Sequence, residues 1–169
     1  MIFLTVGSQL PFDRLVRAVD AWVASQAAVS VFGQIADPGP GGYHPEHFQW
    51  QRFLEPPEFD RYFEQADLVV AHAGMGSIIA ALVAPKPIVV LPRRGHLGEH
   101  RNDHQYATAQ KFQGRENVFV AMSEEELPSV MDAARSQPAA GDGLARPYAD
   151  QRLIRAVRGF IHGERVDSE

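Results

Sequence analysis

Short apolar runs alternate with amphipathic stretches along nearly the whole chain. Six runs rich in β-branched and aromatic residues predict buried strands. They lie at residues 2–6, 29–32, 48–54, 68–71, 87–91 and 118–120. The run at 48–54 alternates apolar with polar residues, which is typical of a strand nearer an edge of the sheet.

Between these runs, apolar residues recur at helical spacing. This pattern predicts helices at 11–26, 56–66, 104–113 and 149–162, and another that follows Ser77 and ends near Val83. Ser123 and Glu126 have capping-box spacing, which predicts a helix that begins at Ser123. Glycine and proline at 141–147 predict a loop.

The alternation of strands and helices predicts an α/β fold with a mostly parallel sheet and helices on both faces. One domain is expected over 1–169, with a core at 1–135 and a C-terminal loop and helix at 136–163. In such sheets ligands bind beyond the carboxyl ends of the strands, where the strand order reverses. The loops at 7–9, 72–77 and 92–103 therefore become the candidates for a site.

Composition narrows the classes of function. The 169 residues are 45% hydrophobic and 22% charged, as in ordinary globular proteins, and a formal net charge of −5 argues against a nucleic-acid partner. No stretch approaches the roughly 18 apolar residues of a membrane span, and the first residues lack the basic region of a signal peptide. There is no cysteine, which excludes disulfides and thiolate chemistry. A cytoplasmic location is the resulting expectation.

Residues 72–77, His-Ala-Gly-Met-Gly-Ser, connect a predicted strand to a predicted helix. Gly74 and Gly76 let the backbone turn tightly and approach a ligand without interference from a Cβ. The helix start adds unpaired N–H groups and a partial positive charge, and Ser77 and His72 add side-chain donors. These features fit a cradle for a diphosphate, and they equally suit a simple tight turn between strand and helix.

The loop at 92–105 concentrates hydrogen-bonding side chains of the kinds that sugars need. Arg93 and Arg94 could neutralise a diphosphate, or else lie exposed beside an acidic loop. The alternative for the loop as a whole is a solvated segment in which Asn102 or Asp103 caps the next helix.

Two further interpretations concern charged residues around these loops. His96, His100 and His104 have a spacing that could hold a metal, but Gly98 and Asn102 argue against a continuous helix there. Asp13 and Arg14 are expected to be helix-start charges and surface residues rather than ligands.

Three segments, 2–15, 66–77 and 92–105, together resemble the glycosyltransferase family 28 C-terminal domain group. That group includes small catalytic subunits of bacterial capsule and exopolysaccharide glycosyltransferases, and the cytosolic subunit of the eukaryotic dolichol-linked GlcNAc transferase is a more distant relative. The likeness spans residues 1 to about 121. It implies a Rossmann-like domain equivalent to the C-terminal half of a GT-B glycosyltransferase.

The resemblance implies the donor-binding, catalytic subunit of an inverting, metal-independent UDP-sugar transferase that needs no cofactor. The nucleotide diphosphate is expected at Gly7, Ser8, His72, Gly74, Met75, Gly76, Ser77 and Arg93. The donor sugar is expected at Asn102, Asp103, His104 and Gln105. Candidates for the general base are Glu99, His100 and Asp103, together with a group on a missing subunit.

Relatives of this kind work with a separate membrane-anchored subunit that supplies the acceptor-binding half. The expected partners are therefore such a subunit and a lipid-diphosphate-linked saccharide that receives a hexosyl or hexuronosyl group. The chain itself is expected at the cytoplasmic face of the membrane through that subunit, with a homo-oligomer as a further option.

One position departs from the superfamily pattern. Many members have Glu three residues after the Ser or Thr of the glycine-rich motif, where it binds the ribose hydroxyls, and Ala80 occupies that position here. The departure favours the alternative of a non-catalytic regulatory or scaffold subunit. An NAD-dependent epimerase would need a dinucleotide fingerprint and a Tyr-x-x-x-Lys pair, and the sequence contains neither.

Overall fold

A computed structural model describes residues 1–137 of the chain and contains a six-stranded sheet. The strands are β1 (Ile2–Thr5), β2 (Val31–Gln34), β3 (Gln49–Gln51), β4 (Leu68–His72), β5 (Ile88–Leu91) and β6 (Val118–Val120). The helices are α1 (Asp13–Ala24), α2 (Pro56–Gln65), α3 (Met75–Val83), α4 (His104–Phe112) and α5 (Leu127–Ser136), with a 3-10 turn at Gly95–Leu97. Each predicted strand within the described range is present.

The six strands are parallel and lie in the order β3-β2-β1-β4-β5-β6. Ile2 of β1 pairs with Val31 of β2 on one side and with Leu68 of β4 on the other. The order reverses between β1 and β4, so the crevice beyond their carboxyl ends is the expected place for a ligand. The predicted α/β architecture is confirmed, and β3 lies at an edge as predicted.

Alternating side chains of the strands build two cores, one on each face of the sheet. Leu4 and Val70 belong to the core covered by α1 and α5, whereas Phe3 and Val69 belong to the core covered by α2, α3 and α4. The central strands are buried on both faces because both layers of helices cover them. The carboxyl ends of these rigid strands position the loops that follow.

The connection from β2 to β3 contains no helix, and α1 holds it in place through one buried carboxylate. Asp20 of α1 is 1% exposed and accepts hydrogen bonds from Tyr43 Oη (2.7 Å), the Glu46 amide (3.0 Å) and the His47 amide (2.8 Å). Burial would raise the pKa of Asp20, but these donors outweigh it and lower the pKa. The helical pattern around Asp20 does not indicate that this residue anchors the β2–β3 connection.

Several predicted boundaries differ from the structure at the ends of helices. The helix expected from residue 11 begins at Asp13, and the helix expected from Ser123 begins at Leu127. The capping box is absent, because Glu126 accepts the Met122 amide (2.8 Å) instead of pairing with Ser123. The predicted loop at 141–147 and helix at 149–162 lie outside the described residues. Within 1–137, no helix has the length and apolar character needed to span a bilayer.

Candidate functional site

The loops after β1, β4 and β5 meet at the reversal point of the sheet and enclose a small cavity. Its volume is about 220 Å³. The predicted site residues that line it are Gly7, Ser8, His72, Arg93, His100 and Gln105. The parallel register therefore brings together residues that are up to 98 positions apart in the chain, from all three loops that the sequence nominated.

His72 ends β4, and its imidazole lies between two glycines. A Cβ on Gly7 (φ +87°) would lie 3.1 Å from His72 Cε1, and a Cβ on Gly74 would lie 2.3 Å from His72 Nε2. The space at Gly74 thus belongs to the imidazole, which differs from the expectation that this glycine opens the backbone to a ligand. Gly7 has a left-handed backbone conformation, and a side chain there would also come close to the His72 imidazole.

The imidazole of His72 is neutral at physiological pH. Burial, followed by the charge of Arg93, lowers its pKa to about 4, although the Thr5 carbonyl opposes the shift. Nδ1 of His72 makes no hydrogen bond of ordinary geometry within residues 1–137. A neutral imidazole keeps one N–H and can donate to an anion without carrying a charge.

The first turn of α3 presents backbone donors to the solvent. Gly74 occupies the N-cap position without any side-chain cap, and the first helical bond runs from the Ile78 amide to the Gly74 carbonyl (3.2 Å). The amides of Met75, Gly76 and Ser77 therefore have no acceptor inside the helix. A Cβ added at Gly76 would meet nothing within 4 Å. This turn combines free N–H groups, the positive end of the helix dipole and open space.

Arg93 lies in a different environment from the one predicted for it. The residue is 2% exposed, and its guanidinium donates to the carbonyls of Val6 (2.9 Å), Leu10 (2.7 Å) and Pro11 (2.7 Å) and more weakly to that of Glu99 (3.4 Å). Its terminal N–H groups are occupied by the protein backbone. The hypothesis of a direct contact with a diphosphate therefore has to be corrected, because the group that would make it holds the β1–α1 loop instead.

Glu99 and Arg14 also differ from expectation. Both oxygens of Glu99 accept from Arg14, at 2.7 Å from Nε and 2.8 Å from Nη2, and Oε2 also accepts the Arg94 amide (2.8 Å). Arg14 further donates to the Pro92 carbonyl (2.9 Å) and to Glu124 (2.8 Å). The Arg14 side chain is 13% exposed, so it is an internal link rather than the predicted surface residue. Glu99 has little free capacity to act as a base.

The remaining polar residues of the 92–105 loop largely bond to one another. Asp103 Oδ1 accepts the Gly95 amide (2.7 Å), and Asn102 Oδ1 accepts the His104 amide (3.2 Å) and contacts the His104 ring. Gln105 is buried, and its Oε1 accepts the Arg93 amide (3.2 Å). Asp103, Asn102 and His104 keep exposed surface, so they remain reachable for a sugar.

His100 stands out among these residues because its Nδ1 is buried without a hydrogen bond to the described part of the chain. Its ring contacts that of His104 edge to face, with 4.4 Å between centroids. Desolvation, then His104, Arg93 and Arg101, lower the pKa of His100. A neutral, half-buried imidazole at the cavity is a chemically suitable proton acceptor.

The sequence matches the profile of the glycosyltransferase family 28 C-terminal domain over residues 1–146. The chain belongs to this family. Among curated proteins, no sequence matches it significantly.

Several solved structures share the fold of this family 28 domain. A glycotransferase of kitacinnamycin superposes with a TM-score of 0.62 at 23% identity, over 96% of this chain and 40% of that one. MurG from Acinetobacter baumannii gives 0.59 at 17% identity, over 92% and 49%. ALG13 gives 0.54 at 18% identity, over 92% and 93%. The chain thus spans less than half of the first two proteins and nearly the whole length of ALG13.

Two features of the family 28 domain bear on its chemistry. Within residues 1–137, no group of three or more His, Asp or Glu side chains is arranged to hold a metal ion, and His96 does not join the contact between His100 and His104. Ala80 lies half-buried on α3, one turn beyond the open amides. No carboxylate at that position is available to bind a ribose.

Proposed function

We propose that this chain is the donor-binding and catalytic subunit of an inverting UDP-sugar glycosyltransferase. The observation that carries the proposal is the open first turn of α3 at the reversal point of the sheet, next to the neutral imidazole of His72. Free amides at Met75–Gly76–Ser77 suit the diphosphate of a nucleotide sugar, because they donate hydrogen bonds and contribute the positive end of the helix dipole.

The proposed reaction needs stabilisation of a leaving group rather than a covalent enzyme intermediate. An acceptor hydroxyl oxygen forms a bond to the anomeric carbon from one side, while the bond from that carbon to the UDP oxygen breaks on the other. The diphosphate takes the electron pair, and the amides of α3 stabilise the developing charge without reorganisation. The neutral His72 adds one N–H donor to this environment.

A base must accept the hydroxyl proton. Among the predicted candidates, Glu99 already accepts three N–H groups, whereas His100 has a ring nitrogen without a partner in the described range. Asp103 keeps one oxygen free of described hydrogen bonds. We therefore rank His100 and Asp103 above Glu99, with a group on the partner subunit as the remaining option.

We infer that a second subunit completes the active site. The chain covers 40% and 49% of two longer glycosyltransferases but 93% of ALG13, which is a chain of similar size. The proposed partner is membrane-anchored and binds a lipid-diphosphate-linked saccharide for polysaccharide synthesis, so that this chain works at the cytoplasmic membrane face. Asn102, Asp103, His104 and Gln105 are the proposed contacts to the hexosyl or hexuronosyl group.

Gly76→Ala tests the carrying observation. In a helix, Cβ tilts towards the N-terminus, so the added methyl group would enter the space proposed for the diphosphate. Since no atom opposes it and alanine favours helix, the melting temperature should stay level or rise. The dissociation constant for UDP, measured by calorimetry, should rise about tenfold or more. Unchanged UDP affinity in a folded Gly76→Ala variant would refute the site.

The matched control is Ala24→Leu, which adds a side chain at an exposed helical position. Ala24 ends α1 near the amino ends of the strands, whereas the α3 amides lie beyond the carboxyl ends, because the helices run antiparallel to the strands. It should leave both melting temperature and UDP affinity near wild type. An equal loss of affinity in this control would show that the Gly76 effect is not local.

The second candidate function is a non-catalytic regulatory or scaffold subunit, and Ala80 is the observation that favours it. Titration with a panel of UDP-sugars, with the chain alone and with its co-purified partner, separates the two. Binding followed by sugar transfer supports the catalytic subunit. Absence of binding in both states supports the scaffold.

A further inference from the structure

Two arginines that reach in opposite directions connect the loop after β1 with the loop after β5. Arg93, after β5, reaches to the loop that follows β1, where it donates to the carbonyls of Val6, Leu10 and Pro11. Arg14, at the start of α1, reaches back to the β5–α4 loop, where it donates to the carbonyl of Pro92 and the carboxylate of Glu99. We name this set of contacts the arginine clasp.

Phe12 lies at the centre of the clasp. Its ring is 1% exposed, and the guanidinium carbons of Arg93 and Arg14 lie 4.5 Å and 5.3 Å from its centroid. Cations over an aromatic ring gain most when they are withdrawn from water, as Arg93 is. The Phe12 ring therefore packs against both guanidinium groups.

The two halves of the clasp are electrostatically unequal. Arg14 faces two carboxylates, Glu99 and Glu124. No carboxylate of the described residues lies within 4.0 Å of the Arg93 guanidinium, whose partners are carbonyl dipoles. Desolvation lowers the pKa of Arg93 to about 10, so the group is still a cation at neutral pH. Its charge acts on the cavity that it lines, while its terminal N–H groups donate to backbone carbonyls.

We propose that Arg93 is a positioning residue, which closes the β1–α1 loop against the β5–α4 loop and sets the electrostatic potential at His72 and His100 without touching the donor. The fork geometry of the guanidinium is required, because one group must bridge three carbonyls of a turning loop. Loop order and imidazole charge depend on Arg93 whether or not the chain binds a nucleotide. Only the expected effect on nucleotide binding rests on the proposed function.

Charged and polar groups from the neighbouring loops act on the imidazoles of His72 and His100. His72 is influenced by Arg93, by the Thr5 carbonyl, and by His100 and His104. His100 is influenced by His104, Arg93 and Arg101. Arg93 and His104 act on both imidazoles, and Arg93 is the arginine common to the two. Removal of Arg93 should therefore raise the pKa of both His72 and His100.

Two substitutions of Arg93 separate geometry from charge. Arg93→Lys keeps the charge but loses the fork, and Arg93→Met loses both. In the free protein, ¹⁵N relaxation order parameters of Ser8, Gln9 and Leu10 should fall in both variants, to about 0.6 or below. NMR titration of the imidazoles should show a higher pKa for His72 and His100 in both variants, because a disordered loop buries them less. The rise should be larger in Arg93→Met, which also removes the cation.

The matched control is Arg17→Met, which makes the same chemical change on the exposed side of α1, where Arg17 stacks over Tyr43 at 4.1 Å. It should change neither loop order nor imidazole pKa. Should Arg93→Met fail to fold, the loop order parameters of Arg93→Lys still decide the question. Wild-type order parameters for Ser8, Gln9 and Leu10 in Arg93→Lys would overturn the proposal.

Calorimetry with UDP links the clasp to the proposed function. Both Arg93 variants should bind UDP about tenfold more weakly, because the loop must be ordered on binding. Weaker binding in Arg93→Lys with an unaltered loop would instead mark Arg93 as a direct ligand and overturn the proposal. If the wild-type chain binds no UDP, the proposed function fails, whereas the relaxation and titration data still test the clasp.

Discussion

The turn at 72–77 and the loop at 92–105 differ in what they do with their hydrogen-bonding groups. In the turn, the amides of Met75, Gly76 and Ser77 have no intrahelical acceptor and no side-chain cap. In the loop, Arg93, Glu99 and most of the other polar side chains bond to the protein itself. The turn has few polar residues and leaves its donors open, whereas the loop has many and uses them internally.

This difference teaches that a dense set of polar side chains is not by itself a binding surface. A loop without regular structure must satisfy its own backbone groups, and side chains such as Asp103 and Glu99 do so for Gly95 and Arg94. Exposed backbone amides at an uncapped helix start can bond to water until a ligand replaces it, and they cost nothing in side-chain entropy. The loop therefore contributes walls of the cavity, whereas the turn carries the open backbone donors.

The largest expected effect is a loss of stability in acid, caused by protonation of His72 in the turn at 72–77. The pKa of His72 is about 4 in the folded chain against 6.5 in the unfolded chain, so the unfolded state binds more protons between these values. The stability from keeping His72 neutral is complete above pH 6.5 and is lost as pH falls towards 4, by of the order of 3 kcal/mol. Urea unfolding at several pH values measures this loss.

The control for that prediction is His72→Asn, which removes the titrating group. The variant should start less stable than wild type, and its free energy of unfolding should depend less steeply on pH between 6.5 and 4. Equal slopes for the two proteins would mean that His72 is not the group responsible.

A smaller effect is expected in the loop. Glu99→Ala leaves Arg14 with one fewer carboxylate in a half-buried position and removes the acceptor of the Arg94 amide. The free energy of unfolding should fall by about 2 kcal/mol. Glu64→Ala, on the exposed side of α2, is the control and should stay within about 0.5 kcal/mol of wild type. Wild-type stability of Glu99→Ala would contradict an internal role for this carboxylate.

The smallest effect on stability is expected for the substitution Ser77→Ala. The hydroxyl lies in the first turn of α3, and alanine is a better helix former, so the free energy of unfolding should change by less than about 0.5 kcal/mol. The Ser77→Ala variant should nevertheless bind UDP several-fold more weakly, because it loses about the free energy of one hydrogen bond. A variant that loses stability but keeps its UDP affinity would reverse the contrast between turn and loop.

Local chemistry along the chain determined the architecture and the places to look. Apolar runs such as 68–71 and 87–91 specify buried parallel strands, because both faces of these strands must be covered by helices. The segment from His72 to Ser77 likewise specifies a turn into a helix start. These features depend on neighbours within a few residues, so a pattern in the sequence is sufficient to predict them.

The roles of Arg93, Arg14, Gly74 and Asp20 were decided by tertiary structure alone. Each depends on partners that lie between about 20 and 110 positions away or on an imidazole packed against a glycine, and no local pattern encodes such distances. The sequence shows the same residue whether an arginine binds a phosphate or a backbone carbonyl. Only the parallel strand order, which brings the ends of β1, β4 and β5 together, determines which acceptors its N–H groups can reach.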